Sequence, residues 1–100
     1  MKIDIHFLDE LYYRVEKKAK NKDIKSYTKK LLKSGKNKIA QKVGEESSEL
    51  IIDYLSGSKK RTVEEACDLI YHLVVLLYSK KINLLDIKKE LQKRQNVRRK

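Results

Sequence analysis

Residues 62–79 read TVEEACDLIYHLVVLLYS, and their apolar positions decide the fold class. Ala66, Leu69, Ile70, Leu73, Val74, Leu76 and Leu77 recur at helical spacing and cover most of the circumference, the pattern of a buried helix. Thr62-Val63-Glu64-Glu65 reads as a capping box that opens it. Upstream, Ile39, Val43, Leu50 and Tyr54 make one stripe of a helix over residues 37–55, and Gly57 stops it. Further back, Phe7, Leu8, Leu11, Tyr12 and Val15 predict a first helix over 5–20. Residues 21–25 read as a connection, Ser26 as the cap of a short helix through Leu32, and Gly35 as its end. Downstream, Asn83 caps a last helix carrying Leu84, Leu85, Ile87 and Leu91. No segment alternates as a strand would, and no repeat is visible. The expectation is all-α: a bundle of four to five helices per chain.

Composition sets the bounds on that bundle. One hundred residues make one domain, and a domain this small buries only about two-thirds of its unfolded surface, so a lone core is thin and self-association is expected. The longest uncharged run, 69–79, has eleven residues against the roughly 20 a membrane span needs. Asp4, Asp9 and Glu10 stand where a signal peptide would be apolar, so no such leader is expected. The single cysteine, Cys67, suits a reducing cytoplasm. We divide the chain into a domain over 1–94 and a basic C-terminal tail over 95–100, with fraying expected from Lys93 onward.

Charge is less informative in its total than in its placing. Lys and Arg number 25 against 14 acids, a formal net charge of +11, which invites a nucleic-acid function. Yet 20 of the cations are lysine, and Tyr27 is the only aromatic among the lysines of 17–42, so a stacking platform for single strands is missing. A solvated lysine surface is the expectation, and nucleic acid is not the expected partner. Windows 43–58 and 62–79 contain no Lys or Arg, where composition alone would place about eight. Half of all the acids fall there: Glu45, Glu46, Glu49, Asp53, Glu64, Glu65 and Asp68.

Helical geometry gathers those acids. At 100° per residue, Glu45, Glu49, Asp53 and Glu46 lie at about 0°, 40°, 80° and 100°, with Lys42 one turn earlier as the obvious counter-charge. Glu64, Asp68, His72 and Glu65 share a similar arc on the next helix. If the arcs face each other, the unpaired charge would cost several kcal/mol per ion. A hard divalent cation offsets it, and Mg²⁺ is the first expectation. Plainer roles exist for some members. Glu64 and Glu65 suit a first helical turn, and Glu45 or Glu46 suits a solvated pair with Lys42. Asp68 and Glu49 have no such explanation. His72 reads as an edge-of-core histidine, Cys67 as a small buried hydrophobe, and the tyrosines at 12, 13, 54, 71 and 78 as core. Gly44, costly inside a helix, hints at a close approach.

Glu46-x-x-Glu49, fifteen residues, then Glu65-x-x-Asp68 resembles the signature of the MazG-like all-α nucleotide pyrophosphatases. The flanks sharpen it: Ser26-Tyr27-Thr28, Leu31-Leu32-x-Ser34-Gly35, 39–46 (IAQKVGEE) and 64–73 (EEACDLIYHL) are similar to the phosphoribosyl-ATP pyrophosphatase family. The resemblance covers residues 5–94. It implies Mg²⁺-dependent hydrolysis of phosphoribosyl-ATP to phosphoribosyl-AMP and pyrophosphate, the second step of histidine biosynthesis, in a homodimer whose bundle completes the site. It assigns Glu46, Glu49, Glu65 and Asp68 to the metal, and leaves Glu45 or Glu46 as the base that takes a proton from water. Lys42, Lys29, Ser26 and Thr28 are the expected phosphate contacts. Two alternatives stand beside it: a house-cleaning nucleoside triphosphate pyrophosphatase on the same scaffold, and a basic helical nucleic-acid-binding protein.

Overall fold

A computed structural model describes residues 6–22 and 26–98, the side chains of 96–98 excepted. The described residues form helices only: α1 (His6–Lys20), α2 (Tyr27–Lys33), α3 (Lys36–Ser56), α4 (Lys59–Ser79) and α5 (Leu84–Arg98). The all-α expectation holds. Ile5, the expected start of α1, and residues 23–25 of the first connection lie outside the described residues.

Local chemistry explains most of the boundaries. Ser26 caps α2, its hydroxyl accepting from the Lys29 amide at 3.3 Å. Gly35, with φ +93°, takes the left-handed turn that separates α2 from α3. Asn83 and Asp86 cap α5 reciprocally, each side chain accepting from the other's backbone amide at 3.0 and 3.1 Å. The start of α4 differs from the expected capping box. Ser58 is the cap, accepting from the Arg61 amide at 3.1 Å, so the helix begins at Lys59 and Thr62 is already inside it. The Thr62 hydroxyl instead donates back to the carbonyl of Ser58 or that of Asp53 on α3. Glu64 and Glu65 are therefore past the first turn, where the helix dipole no longer accounts for them.

The end of α4 carries an unusual residue. Lys81 N–H bonds to Tyr78 C=O and Ile82 N–H to Leu77 C=O, both at 2.9 Å, the paired arrangement that follows a left-handed residue. That residue is Lys81, at φ 62°, where glycine is usual; a side chain there costs roughly 1–2 kcal/mol.

Packing centres on α3 and α4, the most extensive helix pair, joined by the short link through Gly57 and Ser58. Val15 of α1, Leu31 of α2, Ile39 of α3, and Val74 and Val75 of α4 form the buried core, with Leu11, Tyr12, Leu32, Tyr71 and Tyr78 around it. This core is small, and several sequence expectations give way to it. Val63, Ile70 and Leu73 of α4 are exposed, so that helix is apolar on a face its own chain leaves open. Tyr13 and Tyr54 are exposed rather than core, and Cys67 is exposed rather than a buried hydrophobe. A Cβ on Gly44 would meet nothing within 4 Å, so no close approach explains that glycine.

The α5 helix hardly touches the others and carries exposed Leu85, Ile87 and Leu91. It continues through residue 94 to Arg98. The radius of gyration is 15.4 Å, above the roughly 13 Å of a closely packed chain this long. No described helix is long and apolar enough to cross a membrane.

Candidate functional site

The link between α3 and α4 is short enough to lay the two acidic arcs side by side. Glu46, Glu49 and Glu65 each offer a carboxylate oxygen, and those oxygens lie within 4.8 Å of one another. Among the described residues no other group of histidines, cysteines or acids comes together in this way. Glu46 and Glu65 are buried, and Glu49 is at the open edge. Glu65 holds one oxygen, Oε1, 2.9 Å from the Arg61 guanidinium. Its other oxygen, Oε2, is buried with no hydrogen-bond partner. Burial above all, then the neighbouring Glu49 carboxylate, pushes the Glu65 carboxyl above its ordinary value; Arg61 pulls the other way and Asp68 adds to the rise.

Among the described residues, two cations stand nearby. Lys42 Nζ stands 3.3 Å from Glu45 and 3.4 Å from Glu46, closing the α3 side of the groove. Desolvation alone would lower its ammonium, but Glu45, Glu46 and the Tyr27 phenol outweigh that and raise it. Arg61 closes the α4 side, reaching Glu64 at 3.1 Å, Glu65 at 2.9 Å and Asp53 at 3.8 Å. The acids of these windows are thus less alone than the sequence made them look. Arg61 was missed because the cation-free window begins one residue after it. Its three- and four-residue spacing to Glu64 and Glu65 was the available signal.

Other expected site residues are placed variously. Glu45 is exposed on the groove's rim, and the amide of Gln41, then Lys42, holds its carboxyl below the ordinary range. Asp68 is exposed one turn beyond Glu65 and outside the convergent trio, near enough to bear on Glu65's titration. Ser26 is committed to capping α2. Thr28 is buried, its hydroxyl hydrogen-bonded to the Tyr71 phenol. Lys29 lines a different cavity, with Tyr12 and Tyr78, and donates to the Asn21 carbonyl. Of the four expected phosphate contacts, Lys29 thus lines a wall other than the carboxylate groove, while Tyr27, between Ser26 and Thr28, is near enough to Lys42 to act on its charge.

What α2 contributes instead is Tyr27. Its hydroxyl lies 2.9 Å from His72 Nε2, and the other ring nitrogen of His72 donates to the Asp68 carbonyl at 2.7 Å. The rings of Tyr27, Tyr71 and His72 pack together at centroid separations of 5.1–6.2 Å. His72 is buried and ties α2 to the turn of α4 that carries Asp68.

This carboxylate groove fits a hard cation. It offers oxygen donors only, it leaves one buried oxygen orphaned, and its two flanking cations do not satisfy every carboxylate.

Comparison with known proteins adds to the geometry. A family model described as phosphoribosyl-ATP pyrophosphohydrolase matches residues 8–95. A phosphoribosyl-ATP pyrophosphatase of Sulfolobus acidocaldarius is 47% identical over 87 residues, covering 87% of this chain and 92% of that protein. One of Clostridium novyi is 42% identical over 91 residues, covering 91% and 83%. The histidine biosynthesis bifunctional protein HisIE of Bacteroides thetaiotaomicron is 44% identical over 90 residues, and the chain spans 44% of its length.

Proposed function

The chain belongs to the phosphoribosyl-ATP pyrophosphohydrolase family, and from that premise we propose that it hydrolyses phosphoribosyl-ATP to phosphoribosyl-AMP and pyrophosphate, the second step of histidine biosynthesis, as a Mg²⁺-dependent cytoplasmic homodimer. The observation that carries the metal reading is the convergence of Glu46, Glu49 and Glu65 around an orphaned, buried Glu65 oxygen. Those three would hold the ion, with Asp68 completing the set from the next turn of α4. An ion held there would supply charge neutralisation for the substrate's phosphate oxygens.

The remaining roles fall to the chain itself. Glu45 is exposed at the rim and outside the trio, which suits it to take a proton from the attacking water; Glu46 is the other choice. Lys42 stands where a phosphate arriving at the acids would meet a cation, and can exchange a carboxylate for it. Arg61 holds Glu65 and Asp53 in place from the side. The reaction then rests on positioning and charge, as phosphoanhydride chemistry generally does.

Two features favour the dimer. Ile51, Ile52, Leu55, Val63, Ile70 and Leu73 leave apolar surface exposed along α3 and α4, and α5 finds little of its own chain to pack on. Residues 1–94 would be the catalytic domain and 95–100 a basic tail outside it. The deciding assay is pyrophosphate release from phosphoribosyl-ATP compared with ATP and dUTP, each with and without Mg²⁺. Release confined to phosphoribosyl-ATP and dependent on Mg²⁺ is expected. Faster release from dUTP or ATP would move the chain to a house-cleaning role, and no release from any of them would refute the reading.

A further inference from the structure

A cavity of about 660 Å³ opens between α1, α2 and the turn joining α4 to α5. Its size falls in the range of roughly 300–1,000 Å³ that small-molecule sites occupy. It is separate from the carboxylate groove: Tyr78 on its wall is thirteen residues along α4 from Glu65, a rise of about 20 Å. We propose that this cavity is a second site, which binds a phosphorylated small molecule of nucleotide size.

Charge argues for the phosphate. Lys20 of α1, Lys29 and Lys33 of α2, and Lys81 of the turn all line the cavity, so three separate parts of the chain bring lysines to its wall. Glu16 is the one acid on the wall among the described residues, and it faces Lys20 at 3.8 Å. Neither Lys33 nor Lys81 has a carboxylate within 4.0 Å among the described residues. Ammonium groups on flexible stems suit the oxygens of a phosphate that carries more than one charge.

The rest of the wall argues for an organic part. Tyr12 and Tyr78 meet edge to face at 5.9 Å, beside Leu32. The Tyr12 hydroxyl donates to the Ile82 carbonyl at 2.7 Å, which fixes that ring against the turn. A fixed aromatic wall next to mobile cations fits a base or sugar attached to phosphate better than inorganic phosphate alone. Lys81 adds an independent observation. It occupies the left-handed position that glycine would take with less strain, and it lines this cavity.

Calorimetry of the full-length chain in EDTA, with ADP, AMP and inorganic tripolyphosphate as probes, tests the site without touching the metal-dependent reaction. One ADP per chain is expected, bound more tightly than AMP. Lys33→Gln combined with Lys81→Gly should weaken ADP at least tenfold while pyrophosphate release is unchanged. Glu49→Gln combined with Glu65→Gln should leave ADP affinity as it was. Lys81→Gly alone should melt at the same temperature as the parent or higher, because the strain is gone, yet bind ADP less well. No saturable ADP binding would overturn the proposal. So would equal affinity in the lysine variants, or uptake of several equivalents matched by a random oligonucleotide, which would mark a diffuse basic surface. The binding readings stand whether or not the chain cleaves phosphoribosyl-ATP.

Discussion

Arg61 binds one oxygen of Glu65 at 2.9 Å and leaves the other, Oε2, buried and without a hydrogen bond. A single guanidinium, itself shared with Asp53 and Glu64, half-satisfies a carboxylate that also faces Glu49. Such an arrangement is poised for a cation and unfavourable without one.

The consequence for pH follows from the direction of the Glu65 shift. Burial and Glu49 raise its carboxyl in the folded chain, so between the ordinary carboxylate value and the raised one the folded state holds more protons than the unfolded. Metal-free stability should therefore fall as pH rises through that window, and the penalty should be complete above it. Glu65→Gln should melt higher than the parent at pH 7 in EDTA and show a flatter pH dependence. Adding Mg²⁺ should raise the melting temperature of the parent and much less that of the variant. A Glu65→Gln chain that melts lower than the parent in EDTA would contradict this account of the groove.

Asp68 and Glu64 can be told apart by charge-neutral substitution. Both are exposed on α4, but Glu64 has Arg61 at 3.1 Å, and Asp68 lies near enough to Glu65 to raise its carboxyl. Glu64→Gln removes one exposed ion pair and should cost only about 0.2–1 kcal/mol, with activity close to that of the parent. Asp68→Asn should fold as well as the parent yet lose most activity and need far more Mg²⁺, since a neutral amide is a poorer ligand. Equal, modest losses in the two variants with unchanged Mg²⁺ dependence would remove Asp68 from the ligand set.

How legible was this in the sequence? Helix class and the facing of the two acidic arcs were, because 3.6-residue periodicity fixes which side chains share a face and the Gly57–Ser58 link forces the neighbours together. The start of α4 was not. Thr62 and Ser58 are both competent caps, and the choice is settled by the Thr62 hydroxyl finding the carbonyls of Asp53 and Ser58. That shift also brought Arg61 inside the helix, within reach of Glu65. Tyr54 and Cys67 were misplaced for a different reason: periodicity marks an apolar face but not whether the same chain covers it. Lys29 was beyond reach, since only the packing of α2 on α1 decides which cavity its side chain lines.

The uncovered faces of α3 and α4 should be where two chains meet. Leu55 is 74% exposed and Leu73 is 42% exposed. Sedimentation should give twice the 11.8 kDa chain mass at micromolar concentration. Leu55→Lys together with Leu73→Lys should shift the population toward monomer with helicity largely kept, because neither residue belongs to the buried core. A parent that sediments as a stable monomer would refute the dimer.

Truncation after Arg94 tests the domain boundary. The α5 helix runs to Arg98, so the cut removes its last turn together with Arg98, Arg99 and Lys100. An end of a helix that packs on little else contributes almost nothing to stability, since its hydrogen bonds fray against water. The family match also ends near this point, at residue 95. The truncated chain should melt within a degree or two of the parent and keep pyrophosphate release within about threefold. It should elute earlier from a heparin column, having lost three cations, and that change belongs to surface charge rather than to catalysis. If the shortened chain stays folded while its rate falls a hundredfold, those cations reach the site, and the boundary at 94 is wrong.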